Sequence, residues 1–148
     1  MLLALFSLPL LAAAQTNPLT VAPPERVTAE RGSTATATLH VRLLSGHHVN
    51  STTPTDEFLI PLRLTWEPAP LEVGEITFPE PVMETFSFSK TPLSVYTDDF
   101  EIRTQFRVPA GAPTGNLVIT GKLRYQACTN VLCLPPKTID IRQPVRIE

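Results

Sequence analysis

Histidine, cysteine and glycine are scarce in this chain of 148 residues, at three, two and six copies. So few Cys and His side chains leave almost no room for a four-ligand structural zinc site. Neither sign of charge dominates: 12 Lys and Arg stand against 14 Asp and Glu, for a net charge of −2. Without a basic footprint, nucleic acid is a poor candidate for the main partner. No apolar run reaches the roughly 20 residues that a membrane-spanning helix needs. No segment carries a convincing helical period either, and sixteen prolines, each lacking a backbone donor, work against long helices. What remains is apolar enough to fold: 43% hydrophobic and 18% charged, in a length suited to one domain with a real core.

The N-terminal stretch Met1 to Ala14, MLLALFSLPLLAAA, is apolar and ends in three alanines before polar Gln15, Thr16 and Asn17. Small residues before a polar stretch fit a secretory cleavage site, which places the cut after Ala14, although the usual positive residues are missing. On this reading 1–14 is a signal peptide, 15–31 an extended Pro-rich lead-in and 32–148 the folded domain. The mature chain is then expected to be exported to the periplasm or secreted, in a disulfide-permissive space, as a monomer that does not span the membrane.

Period-two patterning dominates the rest. Ala35, Ala37, Leu39, Val41 and Leu43 alternate with Thr34, Thr36, Thr38, His40 and Arg42. Phe100, Ile102, Thr104, Phe106 and Val108 alternate with charged and polar neighbours in the cleanest strand of the chain. Residues 116–127 form another, with Gly121 marking a place where a neighbour approaches closely. Shorter candidates lie at 59–65, where Pro61 hints at an edge, and at 75–78, 138–141 and 145–147. About seven short strands separated by turns predict an all-β protein, an immunoglobulin-like antiparallel β-sandwich.

The chemistry-bearing stretch is Tyr125-Gln-Ala-Cys128-Thr-Asn-Val-Leu-Cys133-Leu-Pro-Pro136. Residues five apart on one strand face opposite ways, so the chain must turn if the two thiols pair, and Thr129 and Asn130 suit a turn. A crosslink closing so short a loop stabilises by only about 2 kcal/mol on the chain-entropy model. An exposed loop is also easy for another thiolate to reach. A redox pair, a hairpin staple and a metal site that adds His47 or His48 to the thiols all remain open.

Gly121-Lys-Leu-Arg-Tyr-Gln-Ala-Cys128 followed by Cys133-Leu-Pro-Pro-Lys-Thr138 resembles the N-terminal periplasmic domain of the thiol:disulfide interchange protein DsbD. Ser45-Gly-His-His-Val-Asn-Ser51 and Phe58-Leu-Ile-Pro61 add support, and the likeness runs from about Gly32 to the end. It implies an immunoglobulin-like sandwich with a redox-active cysteine pair, passing electrons from a thioredoxin-like reductant to exported thioredoxin-fold proteins. In the family the second cysteine forms the mixed disulfide with partners, which assigns that role to Cys133 and the resolving role to Cys128. An aromatic cap loop shields the pair in the family. Its counterpart here is Glu84-Thr-Phe86-Ser-Phe88-Ser-Lys90, with either phenylalanine as the cap and both equally readable as core residues at period two. The family often carries aromatics at the positions of His48 and Asn50, which therefore join Glu84, Phe86, Phe88 and Tyr125 as residues expected around the cysteines. A protonated histidine there would stabilise a thiolate. The family protein continues into a membrane electron-carrying domain and a thioredoxin-like domain, so this sequence is expected to be either a free-standing relative or a piece of such a protein.

No cofactor and no resident metal is called for, and no catalytic triad, carboxylate pair or phosphate-cradling loop stands out. Asp56-Glu57 and Asp98-Asp99 read as solvated turns, and Trp66 as a packing residue. The competing functions are a passive immunoglobulin-like binding module with a structural disulfide, and a periplasmic Cys/His metal-binding domain.

Overall fold

A computed structural model describes residues 16–148; the expected signal peptide lies outside them. Among the described residues there are twelve strands and no helix, and hence no helix long and apolar enough to cross a membrane.

Two four-stranded sheets face each other. The first has the order β1-β3-β9-β6, built from β1 (Leu19–Val21), β3 (Thr34–Leu43), β9 (Phe100–Arg107) and β6 (Glu72–Thr77). The second has the order β2-β12-β10-β5, from β2 (Val27–Ala29), β12 (Lys137–Ile147), β10 (Gly115–Tyr125) and β5 (Arg63–Glu67). Neighbours pair antiparallel throughout, except that β2 runs parallel to β12. The apolar sets read from sequence point inward: Ala37, Leu39 and Val41 of β3, Ile102 and Phe106 of β9, and Ile119, Leu123 and Tyr125 of β10 are buried between the sheets. Burying one such aliphatic or aromatic side chain stabilises by roughly 1.5–3 kcal/mol, so a dozen of them outweigh the thin β1 and β2 pairings in holding the fold.

Three details depart from the sequence expectations. Two segments of the expected lead-in become strands, β1 and β2; Gln143, buried in β12, ties the stretch down through Nε2–H to the Glu25 carbonyl at 2.7 Å. The strand expected at 59–65 begins only at Arg63, because Ile60 N–H bonds the Gln126 side chain and Leu62 N–H bonds Ser51 rather than a ladder. The two short C-terminal candidates are one strand, β12, running through Pro144; a proline fits where the ladder asks nothing of its nitrogen, and pairing with β2 begins only at Val145.

Thr104 breaks the apolar face of β9 and is buried, yet it is satisfied: Trp66 Nε1–H donates to its hydroxyl at 3.1 Å. Trp66 also meets Phe106 edge-on, and so clasps the two sheets together. The same indole explains Gly121, which pairs with Trp66 across the β5–β10 ladder. A Cβ at Gly121 would lie 2.6 Å from Trp66 Cε3 and 3.0 Å from the Thr65 carbonyl oxygen. Because Trp66 is held by Thr104, it has little freedom to withdraw. Gly121→Ala is expected to cost about 1–3 kcal/mol in urea unfolding, as overpacking does; an unchanged midpoint would show that the indole yields.

Candidate functional site

A third, smaller sheet at one end of the sandwich has the order β11-β4-β8-β7, from β11 (Ala127–Cys128), β4 (His48–Asn50), β8 (Leu93–Tyr96) and β7 (Val82–Glu84). The chain reaches β4 from β3 by a tight reversal at Ser45-Gly46, where Gly46 takes φ = 77° and His47 N–H closes onto Leu44 C=O at 3.1 Å. That left-handed conformation is cheap only for glycine, and it delivers His48 into the sheet, with His47 just before it.

Cys128 and Cys133 are joined in a disulfide, with Sγ atoms 2.06 Å and Cα atoms 3.9 Å apart. The turn anticipated at Thr129 and Asn130 is what brings them together. Thr129 N–H donates to Leu132 C=O, and Leu134 N–H to Ala127 C=O, both at 2.8 Å. These two bonds flank the Cys128–Cys133 bridge, so the cysteines form a non-hydrogen-bonded antiparallel pair, the position where opposing side chains come closest. The Thr129 hydroxyl receives the Val131 and Leu132 N–H groups and rigidifies the turn. Cys128 is 0% exposed and Cys133 is half-buried, while the loop between them presents Val131 and Leu132 to solvent at 67% and 50% exposure.

On the other side of Cys128 stands His48, its direct partner in the β11–β4 ladder. Cys133, Cys128 and His48 thus form a row across three chain segments, on one face. His48 is 2% exposed, and its Nε2 has no hydrogen-bond partner. Burial, aided by the nearby charge of His47, lowers its pKa from the usual 6.5 to about 4. The histidine expected as a possible source of positive charge is therefore neutral near pH 7 beside the closed disulfide, and neither solvated nor cationic. His47 is half-buried and bonds the Ser45 carbonyl through Nδ1 at 3.2 Å.

A folded-state pKa below the unfolded one means that protonation favours unfolding. This contribution to stability is whole above pH 6.5 and is lost as pH falls toward 4, at up to about 1.4 kcal/mol per pH unit. Urea unfolding of the wild type between pH 7 and 4.5 should show a steeper loss than His48→Phe; equal slopes would place the titration elsewhere.

Over His48 lies the cap segment. Phe86 stacks on the imidazole with ring centroids 3.9 Å apart and planes 11° from parallel, and Phe88 lies beside the pair in a nearly parallel plane, 5.6 Å from Phe86 and 6.4 Å from His48. The two phenylalanines differ in burial. Phe86 is 9% exposed and packs with Leu93, Val95 and Leu59, whereas Phe88 is 38% exposed. Ser87, between them, donates from its hydroxyl to the Asn130 carbonyl at 2.6 Å and so ties the cap to the inter-cysteine loop. Glu84 ends β7 at the surface, just before this segment.

Asn50 and Tyr125 are not on the surface. Asn50 is buried, and its Nδ2 donates to Ile60 C=O and Gln126 Oε1, both at 3.0 Å. Tyr125 is a core residue packed with Leu123 and Ala127, so it anchors the strand end and is unavailable to a partner. The residue that sequence inspection passed over is Gln126. Its side chain accepts from Asn50 and from Ile60 N–H and donates to Leu134 C=O at 3.3 Å, fastening β4, the approach to β5 and the segment after Cys133 to one amide. The signal was present in the interrupted alternation of Tyr125, Gln126, Ala127 and Cys128, where a polar residue sits among three buried ones. Among the described residues, with the two cysteines joined, no group of three or more His, Cys, Asp or Glu side chains is placed to hold a metal ion.

The sequence matches the family described as thiol:disulfide interchange protein DsbD, N-terminal, over residues 15–144. The fold is similar to that of the Neisseria meningitidis DsbD N-terminal domain in its reduced form, at 20% identity and a TM-score of 0.51, with 82% of each chain covered. It is also similar to the N-terminal periplasmic domain of ScsB from Proteus mirabilis, at 15% identity and a TM-score of 0.55, covering 79% of this chain and 43% of that one. A search of curated proteins returns no match. The sandwich is thus immunoglobulin-like, as its alternating strands led one to expect.

Proposed function

The chain belongs to the family of DsbD N-terminal domains, and on that premise we propose that it is a periplasmic or secreted thiol-disulfide exchange module, shuttling electrons between a thioredoxin-like reductant and exported thioredoxin-fold acceptors. The observation that carries this reading is the asymmetric Cys128–Cys133 disulfide, one sulfur sealed and the other in a half-buried loop beside exposed Val131 and Leu132. An incoming thiolate meets Cys133 first. It bonds to the Cys133 sulfur and releases Cys128; a second thiol of the donor then frees Cys133, leaving a dithiol here and a disulfide in the donor. In the opposite direction Cys133 attacks an acceptor disulfide and Cys128 resolves the intermediate. Phe86 serves as the cover, with Phe88 and the loop hydrophobics as the surface a partner displaces or contacts. The signal peptide of residues 1–14 supplies export.

A structural staple is the competing role, and the reduction potential separates the two. Equilibration with a thioredoxin-type dithiol, read by alkylation of the freed thiols, should give a potential above about −300 mV. A value well below that would mark a fastening and overturn the exchange reading.

A further inference from the structure

His48 occupies a place that the exchange chemistry needs filled. Cys128 is completely buried, so when it must act as a nucleophile no bulk water stands ready to take the proton from its thiol. Directly opposite it in the ladder, on the same face, is an imidazole that is itself 2% exposed and whose Nε2 is unpartnered. An orphaned buried nitrogen is destabilising, and the disulfide form carries that cost without visible return. Phe86, stacked flat on the ring at 3.9 Å, holds it in plane against the sheet and prevents it from swinging toward solvent. The other titratable groups on the surrounding segments are no substitutes: Asp56, Glu57, Glu84 and Lys90 are exposed, His47 is engaged with Ser45, and Tyr96 donates its hydroxyl to Pro79 C=O.

We propose that His48 accepts the Cys128 thiol proton in the resolving step of exchange, an inference that rests on the exchange function above. In that step the Cys128 proton passes to the unprotonated ring nitrogen of His48, and the Cys128 sulfur bonds to the Cys133 sulfur. The bond between Cys133 and the partner breaks, and its electron pair leaves on the partner's thiolate, which takes up the proton from the imidazolium or from water. The partner's disulfide is the oxidant of the overall reaction and this protein's dithiol the reductant. A neutral imidazole keeps one ring nitrogen free to accept, and the new thiolate beside it offsets the buried imidazolium charge. Attack by Cys133 on the partner draws on no such help, because Cys133 lies one position further along the row and reaches solvent. His48 therefore acts on one half-reaction only.

A reduced full chain mixed with an aromatic disulfide reagent, 5,5′-dithiobis(2-nitrobenzoate), reports the halves separately. The first coloured thiolate is released when Cys133 attacks, the second when Cys128 resolves. His48→Phe keeps a ring for Phe86 to stack on but has no nitrogen. The first release should stay within about 2-fold of wild type, while the second slows about 100-fold, the low end of what a positioned base contributes. His48→Gln should slow the second phase similarly, and serves if the phenylalanine variant does not fold. In His48→Ala, added imidazole should restore part of the second phase. A second release as fast as wild type in a folded variant, or both phases slowed alike, overturns the proposal and leaves exchange standing. Absence of any release from the reduced wild type would overturn exchange itself, and this inference with it.

Discussion

Cys128→Ser is expected to accumulate as a mixed disulfide with a thioredoxin-fold partner, bonded through Cys133, while Cys133→Ser accumulates none. Cys128 is 0% exposed, and Cys133 sits in a loop whose tip residues Val131 and Leu132 are more than half or half open to solvent. A partner sulfur can approach only the outer cysteine. Removing Cys128 leaves that cysteine able to attack but takes away the thiol that would expel the partner, so the intermediate persists. Removing Cys133 leaves a thiol that no partner reaches. Each reduced variant would be mixed with an oxidised thioredoxin-fold protein, and the products separated on non-reducing gels and mapped by mass spectrometry. Capture by neither variant, or stronger capture by Cys133→Ser, would sink the assignment of roles.

The second large effect concerns Phe86. Replacing it with alanine removes a ring that packs on Leu93 and Val95 and stacks on His48, and should cost about 3 kcal/mol, the lower bound for a buried phenylalanine. A plain core residue would do that and nothing else. The cover we propose predicts something more: reduction of the Cys128–Cys133 bond by dithiothreitol, followed well below the unfolding transition, should become several-fold faster as the strand beneath is uncovered. Phe88→Ala, at a ring already 38% exposed, should change stability far less. A destabilised Phe86→Ala protein that is reduced at the wild-type rate would return Phe86 to the core and leave the cysteines uncapped.

The sandwich could be read from the sequence because its long strands alternate. β3, β9 and β10 each bury one face against the opposite sheet and wet the other, and period two is the direct imprint of that geometry. The sheet that bears the cysteines has no such imprint. β4, β8 and β11 are buried at every position and β7 is exposed at every position, in runs of two to four residues. Their pairing is dictated by where the larger sheets set them down. The cysteine motif itself was legible from its residues and spacing. The burial of His48 was not, because Ser45-Gly46-His47-His48 has the composition of a solvated turn, and only the arrival of Phe86 from 38 positions downstream closes it off. The same blindness hid Gln126, whose importance lies in three partners brought from separate parts of the chain.

The eleven-residue ladder between β10 and β12 lies wholly within the main sandwich, whereas the crosslinked cysteines close a loop of six residues at its margin. Opening that bond releases very little chain, so the frame is expected to keep its shape whether the sulfurs are joined or apart. The proposed exchange, which opens and closes that bond repeatedly, needs this indifference. Each turn of chemistry strains only a small hinge, and the architecture that aims the hinge never has to be rebuilt.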